Sequence, residues 1–266
     1  MTEPSPDKYQ RGYSEIAPII LDADYKAPKV GKLLAVLKAA GAIEDNVQRG
    51  LAADVGSSSG LFARALCGHF DHVFAFDIDA AALQAGHIDG VDNVHPVLAD
   101  SQMLPLPDAC LDLVICNHVY EHVPDAGRLF DEIHRVLRHG GVCYFGAASR
   151  LTIVEPHYKL PFLSWLPKWA ADRYMRMAGR GPRYYENLRT WWGIERLLGG
   201  FGRRDFTIAV LRDPDRFMAR DMIRPGSLIE RVPAWLWRAA YVLLPSYILV
   251  LTRNGPRTAA NPNDAR

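Results

Sequence analysis

Several features that define particular protein classes are scarce in this sequence. Its four cysteines form no C-x-x-C pair, and no group of Cys and His has the spacing of a zinc finger, so we expect free thiols and no metal site. Residues 1–10 lack the apolar stretch of a secretory signal, which predicts a cytoplasmic protein. Lys and Arg form no closely spaced run and the formal net charge is only +1, so nucleic acid is not an expected partner.

An uninterrupted apolar segment long enough to cross a membrane is also missing. Residues 232–251 are almost entirely apolar and have the length of a membrane span, but Pro233 and Pro245 interrupt them. A proline inside a helix removes a backbone hydrogen bond. We therefore predict a short Trp-rich helix followed by a buried strand at residues 247–252.

The composition is that of a globular chain with a substantial core, but the charge is unevenly distributed. Hydrophobic residues make up 49% of the 266 residues and charged residues 23%. Residues 1–149 hold 11 Lys+Arg and 20 Asp+Glu, a net charge of −9, whereas residues 150–266 hold 20 and 10, a net charge of +10. All six Trp lie in the basic part. Two regions with different surroundings are therefore expected.

Short apolar segments alternate with segments of helical periodicity along the first half of the chain. A helix at 28–43 precedes predicted strands at 51–55, 72–76, 94–98, 111–116 and 142–147, with helices at 60–67, 79–85 and 125–137 between them. A helix near 188–198, a strand near 204–211 and a strand after Pro245 follow. This alternation predicts a mostly parallel sheet with helices on both faces, whose ligand lies beyond the carboxyl ends of the strands.

The same patterns divide the chain into five parts. Residues 150–190 break the alternation and are rich in Trp, Pro and Arg, which is typical of an inserted cap. The predicted parts are an N-terminal segment 1–27, a ligand-binding core 28–149, the cap 150–190 over the active site, a C-terminal part of the sheet with a Trp/Arg-rich insertion 191–253, and a disordered tail 254–266.

Acidic residues stand at the ends of three successive predicted strands. The first strand ends in Asp54 and continues into the glycine loop 54–60 (DVGSSSG), which lets a ligand approach the backbone and a helix N-terminus. Asp77 ends the second strand, at the spacing where a carboxylate accepts both hydroxyls of a ribose, and Asp100 follows the third. Parallel strands bring these three carboxylates into one crevice.

The loop itself indicates which nucleoside fits. Ser58 replaces the second glycine of a dinucleotide fingerprint. Asp54 would repel a pyrophosphate, since two like charges about 5 Å apart cost roughly 3 kcal/mol at an effective dielectric constant of 20. The same carboxylate favours a ligand that carries an ammonium, a sulfonium and a ribose, and S-adenosylmethionine has all three.

With these features the chain resembles the class I S-adenosylmethionine-dependent methyltransferases, in the subgroup that includes the ubiquinone/menaquinone C-methylases. The resemblance covers residues 48–150 and lies in the loop 54–60, in Asp77, and in the segments 104–108 (LPLPD), 117–123 (NHVYEHV) and 135–141 (RVLRHGG). The sequence departs from the family at Ser58, which replaces the middle glycine of the loop. Ligand binding is expected to survive this change provided that Ser58 keeps a negative φ.

The resemblance implies an α/β fold with a Rossmann-like, seven-stranded, mostly parallel sheet, helices on both faces and an inserted cap. It implies transfer of a methyl group from S-adenosylmethionine to a small acceptor, amphiphilic or anionic, at oxygen or carbon. The implied cofactor-binding residues are Asp54, Gly56, Ser57, Ser58, Gly60, Asp77, Ile78, Asp100, Ser101 and Asn117.

A catalytic base is needed only if the acceptor loses a proton in the transfer step. The candidates are His118, Tyr120 and His122 at the end of the fourth strand, and Glu155, His157 and Tyr158 at the start of the cap. We favour His157, because a histidine in the cap beside Glu155 could face the acceptor, although a packing role for it stays open. Glu121 and His122 are expected to cap the helix that follows them.

Three other interpretations stay open. The chain could be a non-catalytic nucleoside-binding module of the same fold, or an α/β-hydrolase with Ser58 as nucleophile, although no histidine follows His157 to complete its triad. The Trp residues of the basic half could also meet an anionic lipid surface or an amphiphilic substrate. The identity of the acceptor and the oligomeric state cannot be read from the sequence.

Overall fold

A seven-stranded sheet organises the part of the chain that the computed structural model describes, residues 11–88 and 90–255. Its strands are β1 (Leu51–Val55), β2 (His72–Asp77), β3 (Val94–Leu98), β4 (Leu111–Asn117), β5 (Leu137–Ala148), β6 (Phe201–Asp205) and β7 (Ser246–Arg253). They lie in the order β3-β2-β1-β4-β5-β7-β6. Strands β1 to β5 pair in parallel, and β7 runs antiparallel to both β5 and β6. The predicted fold class is confirmed.

Helices pack on both faces of the sheet. They are α1 (Tyr13–Ile16), α2 (Ala23–Ala39), α3 (Leu61–Leu66), α4 (Ala80–Gln84), α5 (Ala126–Val136), α6 (Lys168–Met177), α7 (Trp191–Leu197), α8 (Thr207–Arg212) and α9 (Ala234–Ala239). One apolar core holds residues of α5 and α7, and another, on the opposite face, holds residues of α2, α3 and α8. Asp22, Asp79 and Asp125 cap α2, α4 and α5, because each side chain accepts two backbone N–H bonds at the start of its helix.

Two predicted elements differ from the structure. The apolar segment at 204–211 was expected as one strand, but the strand β6 ends at Asp205, whose Oδ1 accepts a hydrogen bond from the N–H of Thr207 at 2.8 Å. The segment continues as α8, with Thr207 and Val210 buried three residues apart on one helical face. The fifth strand begins at Leu137 rather than at residue 142, and a register shift against β4 accommodates the extra residues.

The cap follows β5 and has a small apolar core of its own. Residues 149–190 are largely irregular, apart from a 3-10 turn at Leu163–Trp165 and the helix α6. The buried members of this core are Leu160, Leu163, Ala171, Met175 and Tyr184. A separate core gives the cap a defined shape, although little regular structure holds it to the sheet.

The remaining expectations concern the cysteines, a membrane span and the tail. Cys116 and Cys143 are buried free thiols, while Cys67 and Cys110 are half-buried. Within residues 11–88 and 90–255, no helix has both the length and the apolar character that crossing a membrane requires. Of the predicted tail, residues 256–266 lie outside the described residues.

Candidate active site

A cavity of about 510 Å³ opens at the carboxyl ends of the central strands. Strand β1 has β2 on one side and β4 on the other, so the chain order reverses here. Ligands of open α/β sheets bind at such a switch point, and the volume suits a small molecule or cofactor. Nine of the predicted site residues line the cavity: Gly56, Ser58, Asp77, Ile78, Asp100, Ser101, Asn117, His118 and His157.

The loop between β1 and α3 depends on two glycines with a left-handed backbone. Gly56 has a φ of +70° and Gly60 a φ of +75°, a region that residues with a Cβ rarely adopt. A Cβ on Gly56 would also lie 2.5 Å from Cγ2 of Val119. The N–H groups of Gly56 and Ser57 donate to the carbonyl oxygen of Phe76 at 2.9 Å each, so the loop is tied to the end of β2.

Ser58 stands at the middle position of this loop with a φ of +53°, so the condition of a negative φ is not met. Its N–H donates to Oδ2 of Asp77 at 2.6 Å, a charge-assisted bond that holds the strained conformation. The hydroxyls of Ser57, Ser58 and Ser59 are buried and have no hydrogen-bond partner within the described ranges. Since buried polar groups are normally paired, these hydroxyls fit a loop that receives a polar ligand.

We expect Ser58→Gly to raise the free energy of unfolding by about 1 kcal/mol, because glycine adopts a positive φ without a Cβ clash. Thermal or urea unfolding measures the change. Ser57→Gly is the matched control. The backbone of Ser57 has no positive φ, so added chain flexibility should make that variant less stable than the wild type. A Ser58→Gly protein that unfolds as readily as the Ser57→Gly control would contradict this account of the loop.

Asp77 presents its carboxylate to the cavity at the end of β2. Oδ1 accepts from the N–H of Asp79 at 2.8 Å, and Oδ2 accepts from the N–H of Ser58 at 2.6 Å. Burial raises the pKa of Asp77 above its ordinary value, and these two hydrogen bonds oppose that rise. Each carboxylate oxygen has a further lone pair, so both ribose hydroxyls could still donate to it.

Asp54 is buried beneath the loop, near a lysine that the sequence analysis did not identify. Oδ2 of Asp54 accepts a hydrogen bond from the N–H of Ala63 at 3.2 Å. Burial raises the pKa of Asp54 to about 7, against the opposing charge of Lys26. Burial lowers the pKa of Lys26, while the charges of Asp54 and Asp77 oppose that shift. The charges of Asp54 and Lys26 thus influence one another beside the glycine loop.

The N-terminal segment forms a wall of the cavity, a role that the sequence did not indicate. Six of its residues line the cavity: Tyr13, Ala17, Ile19, Ile20, Tyr25 and Lys26. The N–H of Ser14 donates to Oδ2 of Asp79 at 2.8 Å, and Nε2 of His87 lies 2.9 Å from the carbonyl oxygen of Leu21. These contacts hold the segment against the end of β2 and the loop that follows α4.

Three histidines and three buried glutamates meet on the cap side of the cavity. The pairs, with their Nδ1 to carboxylate oxygen distances, are His118–Glu121 at 3.1 Å, His122–Glu186 at 2.6 Å and His157–Glu155 at 2.7 Å. The ring centroids of His122 and His157 lie 5.1 Å apart, edge to face. The cluster therefore joins the end of β4 to two parts of the cap.

The paired carboxylates shift the titration of this cluster. Burial lowers the pKa of His122, but the charge and contact of Glu186 outweigh it and raise the pKa to about 9. Burial likewise lowers the pKa of His157, while the hydrogen bond to Glu155 raises it above the ordinary value. Burial raises the pKa of Glu121, but His118 and the other two imidazoles bring it below its usual range.

Two expectations for the segment after β4 need correction. Tyr120 is fully buried and does not line the cavity: its hydroxyl donates to the carbonyl oxygen of Ala148 and accepts from the N–H of Arg189 at 3.1 Å. It joins β5 to the end of the cap and is therefore no candidate base. Glu121 does not cap the following helix, because the side chain of Asp125 does so.

Three further predicted residues do not line the cavity: Asp54, Ser57 and Gly60 belong to the glycine loop and lie just behind the lining residues.

The hydrolase interpretation loses its support. The hydroxyl of Ser58 has no hydrogen bond to any histidine among residues 11–88 and 90–255. A nucleophilic serine needs a histidine within hydrogen-bond reach, and this loop provides none.

The fold and the site define an α/β domain with a cavity at its switch point, and comparison with known proteins shows what this domain is similar to. Residues 53–145 match the model of the methyltransferase domain family. Over 131 residues the chain is 32% identical to an uncharacterized methyltransferase of Mycobacterium sp. strain KMS. The aligned region covers 49% of this chain and 51% of that relative. The chain thus spans about half the length of this relative. Residues 53–145 are a class I S-adenosylmethionine-dependent methyltransferase domain.

Solved structures extend the likeness of fold beyond this domain. The [4+2]-cyclase SpnF covers 96% of this chain and 98% of its own, with a TM-score of 0.56 and 14% identity. Phosphoethanolamine N-methyltransferase 2 of Haemonchus contortus, in complex with S-adenosylhomocysteine, covers 95% of this chain and 61% of its own, with a TM-score of 0.56 and 13% identity. At this identity the likeness concerns the fold alone.

Proposed function

We propose that this protein transfers a methyl group from S-adenosylmethionine to a small acceptor that is amphiphilic or anionic. The observation that carries the proposal is that Asp77 and Asp100, which follow neighbouring strands, line one cavity, with the buried Asp54 just behind its wall. The methyltransferase-domain match of residues 53–145 supports the same cofactor. When bound, S-adenosylmethionine supplies a methyl group on a sulfonium that is already activated for in-line attack.

Each end of this cofactor has suitable residues in the chain. Asp77 would accept the ribose hydroxyls, since both its oxygens keep a lone pair toward the cavity. The methionine end carries an ammonium and a carboxylate, which match the charges of Asp54 and Lys26. The hydroxyl of Ser58, which has no hydrogen-bond partner within the described ranges and whose residue lines the cavity, would hydrogen-bond the same end. Ile78, Ser101 and Asp100 line the part of the cavity left for the adenine.

The acceptor would enter on the cap side, between the end of β4 and the cap. His118, His157 and Lys159 line the cavity there, and the ammonium group of Lys159 suits an anionic acceptor. His118 and His157 remain the predicted bases for an acceptor that must lose a proton. Positioning supplies much of the acceleration, because the methyl donor needs no further activation.

The proposal is tested by calorimetric titration with S-adenosylmethionine, followed by transfer of its labelled methyl group to a small-molecule or lipid extract. We expect saturable binding and labelling of an extractable product. Absence of binding at millimolar ligand would overturn the proposal. Saturable binding without transfer to any extract would instead favour the non-catalytic nucleoside-binding module.

A specific observation favours an amphiphilic acceptor or an anionic lipid surface. The helix α6 and the turn before it expose large apolar side chains, among them Trp165 and Trp169. The same segment exposes four basic residues: Arg173, Arg176, Arg180 and Arg183. Exposed apolar and basic side chains on one segment suit the headgroup region of an anionic membrane. We propose that this face, residues 162–183, contacts anionic lipid.

We expect the protein to co-sediment with phosphatidylglycerol vesicles at low salt and to be released as the salt concentration rises. Trp169→Ala should weaken partitioning about fivefold, since half-burying an indole contributes roughly 1 kcal/mol. Trp192→Ala is the matched control, because Trp192 is also exposed but lies on α7, outside this face. Wild-type protein that stays in the supernatant at low salt would remove the lipid proposal.

A further inference from the structure

The cluster on the cap side contains a set of side chains with the composition of a metal site, although the sequence predicted none. Glu121, His122 and His157 each offer one ligand atom, and these atoms all lie within 4.8 Å of one another. Two of these residues follow β4 and the third lies in the cap. Two imidazoles and one carboxylate are the three protein ligands of many catalytic metal sites, which keep a further position open.

A second observation concerns the carboxylate of Glu121. The side chain is completely buried, and its Oε1 lies 3.1 Å from Nδ1 of His118. Its Oε2 has no hydrogen-bond partner in the part of the chain that the structure describes. A buried carboxylate oxygen without a partner is costly, and a cation beside it would remove that cost.

The two imidazoles are also held in the orientation that metal ligands need. Nδ1 of His122 lies beside Glu186, and Nδ1 of His157 lies beside Glu155, whose other oxygen accepts the N–H of His157 and of Tyr158. A carboxylate on Nδ1 fixes the tautomer and leaves Nε2 as the ligand atom. Glu155 and Glu186 are thus positioning residues for such a site.

We propose that Glu121, His122 and His157 bind a divalent transition-metal ion at the acceptor end of the cavity. Imidazole with carboxylate favours ions such as Mn²⁺, Fe²⁺, Co²⁺ or Zn²⁺ over Mg²⁺ and Ca²⁺, which prefer oxygen ligands. Ligands about 2.1 Å from one ion lie roughly 3 to 4 Å apart, so any pair of these atoms near the 4.8 Å limit would move closer on binding. His122 and His157 line the cavity, so the open position of the ion faces it.

The role that we assign to this ion rests on the proposed methyl transfer. It restricts the atom that accepts the methyl group to oxygen. With His157 as a ligand rather than a base, an acceptor hydroxyl bound to the ion loses its proton to water more readily, because the cation stabilises the oxyanion. This oxygen then forms a bond to the methyl carbon while the carbon–sulfur bond breaks. The electron pair of that bond stays on sulfur, so the products are a methyl ether and a neutral thioether.

Metal binding is tested by measurements that do not depend on methyl transfer. Chelator-treated full-length protein is titrated with Mn²⁺ by electron paramagnetic resonance and with Zn²⁺ by equilibrium dialysis. We expect one saturable ion per chain. Glu121→Gln and His157→Gln should each weaken binding at least tenfold. His72→Gln is the matched control, because His72 is exposed at the start of β2, and its metal affinity should equal that of the wild type.

S-adenosylmethionine affinity, measured on the same samples without metal, shows that the variants are folded. Because metal affinity and cofactor affinity are read separately, failure of methyl transfer leaves the metal result intact, and the reverse also holds. Wild-type protein that binds neither ion saturably at about 1 mM would overturn the site. Glu121→Gln and His157→Gln proteins that bind both ions as tightly as wild type would do the same.

Discussion

Asp77→Ala is expected to weaken the binding of S-adenosylmethionine roughly 10- to 100-fold. Hydrogen bonds to a charged group contribute about 1.5–3 kcal/mol, and 1.4 kcal/mol corresponds to a tenfold change in affinity. The substitution removes the acceptor for the ribose hydroxyls. It also removes the acceptor of the Ser58 and Asp79 N–H groups, so the glycine loop loses a support.

Several ligands contain the same ribose, so comparing their affinities provides a control for the role of Asp77. S-adenosylhomocysteine and 5′-methylthioadenosine both contain it, so calorimetry should show similar losses for both with Asp77→Ala. Asp77→Asn keeps an acceptor oxygen of the same shape, and its loss should be smaller. If Asp77→Ala binds methylthioadenosine as tightly as wild type does, Asp77 does not contact the ribose.

Asp54→Asn should have an effect of similar size, but only on ligands that carry the amino-acid end. The carboxylate of Asp54 is buried, and a neutral amide there would lose the attraction to the ligand ammonium. We expect S-adenosylhomocysteine affinity near pH 7.5 to fall roughly 10- to 100-fold. Methylthioadenosine lacks the ammonium, so its affinity should remain close to that of the wild type.

The raised pKa of Asp54 gives this interaction a pH dependence with a definite sign. Burial raises the pKa to about 7, so the carboxyl is mostly protonated at pH 6 and mostly ionised at pH 7.5. The ammonium binds the ionised form, so wild-type affinity for S-adenosylhomocysteine should increase roughly eightfold between these pH values. Asp54→Asn should abolish the increase. A wild-type affinity that is flat over this range would contradict the role of Asp54.

The same shift has a consequence for the unliganded protein. The folded state keeps a proton on Asp54 up to about pH 7, whereas in the unfolded chain the carboxyl ionises near its ordinary pKa of 3.8. Between these values the folded state binds more protons, so the contribution of Asp54 to the free energy of unfolding falls as the pH rises through this window. The proposed binding of the ligand ammonium would offset this loss by placing a cation beside the carboxylate.

The core of the site could be predicted because it depends on local patterns and one general rule. Strand and helix periodicity located β1 to β4 to within a residue or two, and parallel pairing places the ends of such strands at one edge. The positions of Asp77 and Asp100 therefore followed from the sequence. The strand expected at 204–211 failed because a short apolar segment fits a buried strand and a helix equally well.

The lysine beside Asp54 and the residues on the acceptor side of the cavity could not be predicted by the same means. The buried position of Lys26 depends on how α2 packs across the glycine loop, and no sequence spacing links it to Asp54. Likewise Glu121, His157 and Glu186 come from separate segments, two of them in a cap without periodicity. The buried position of Tyr120 was also invisible, since alternation along a strand says nothing of residues beyond its end.

The sequence by itself determined the sheet, the glycine loop and the acidic strand ends, because each follows from the order of apolar and polar residues along a short stretch. Only the tertiary structure decided the positive φ of Ser58, the electrostatic influence of Lys26 on Asp54 and the meeting of Glu121, His122 and His157. These features arise where segments distant in the chain pack together, and packing depends on side-chain shape in three dimensions rather than on any repeat in the sequence.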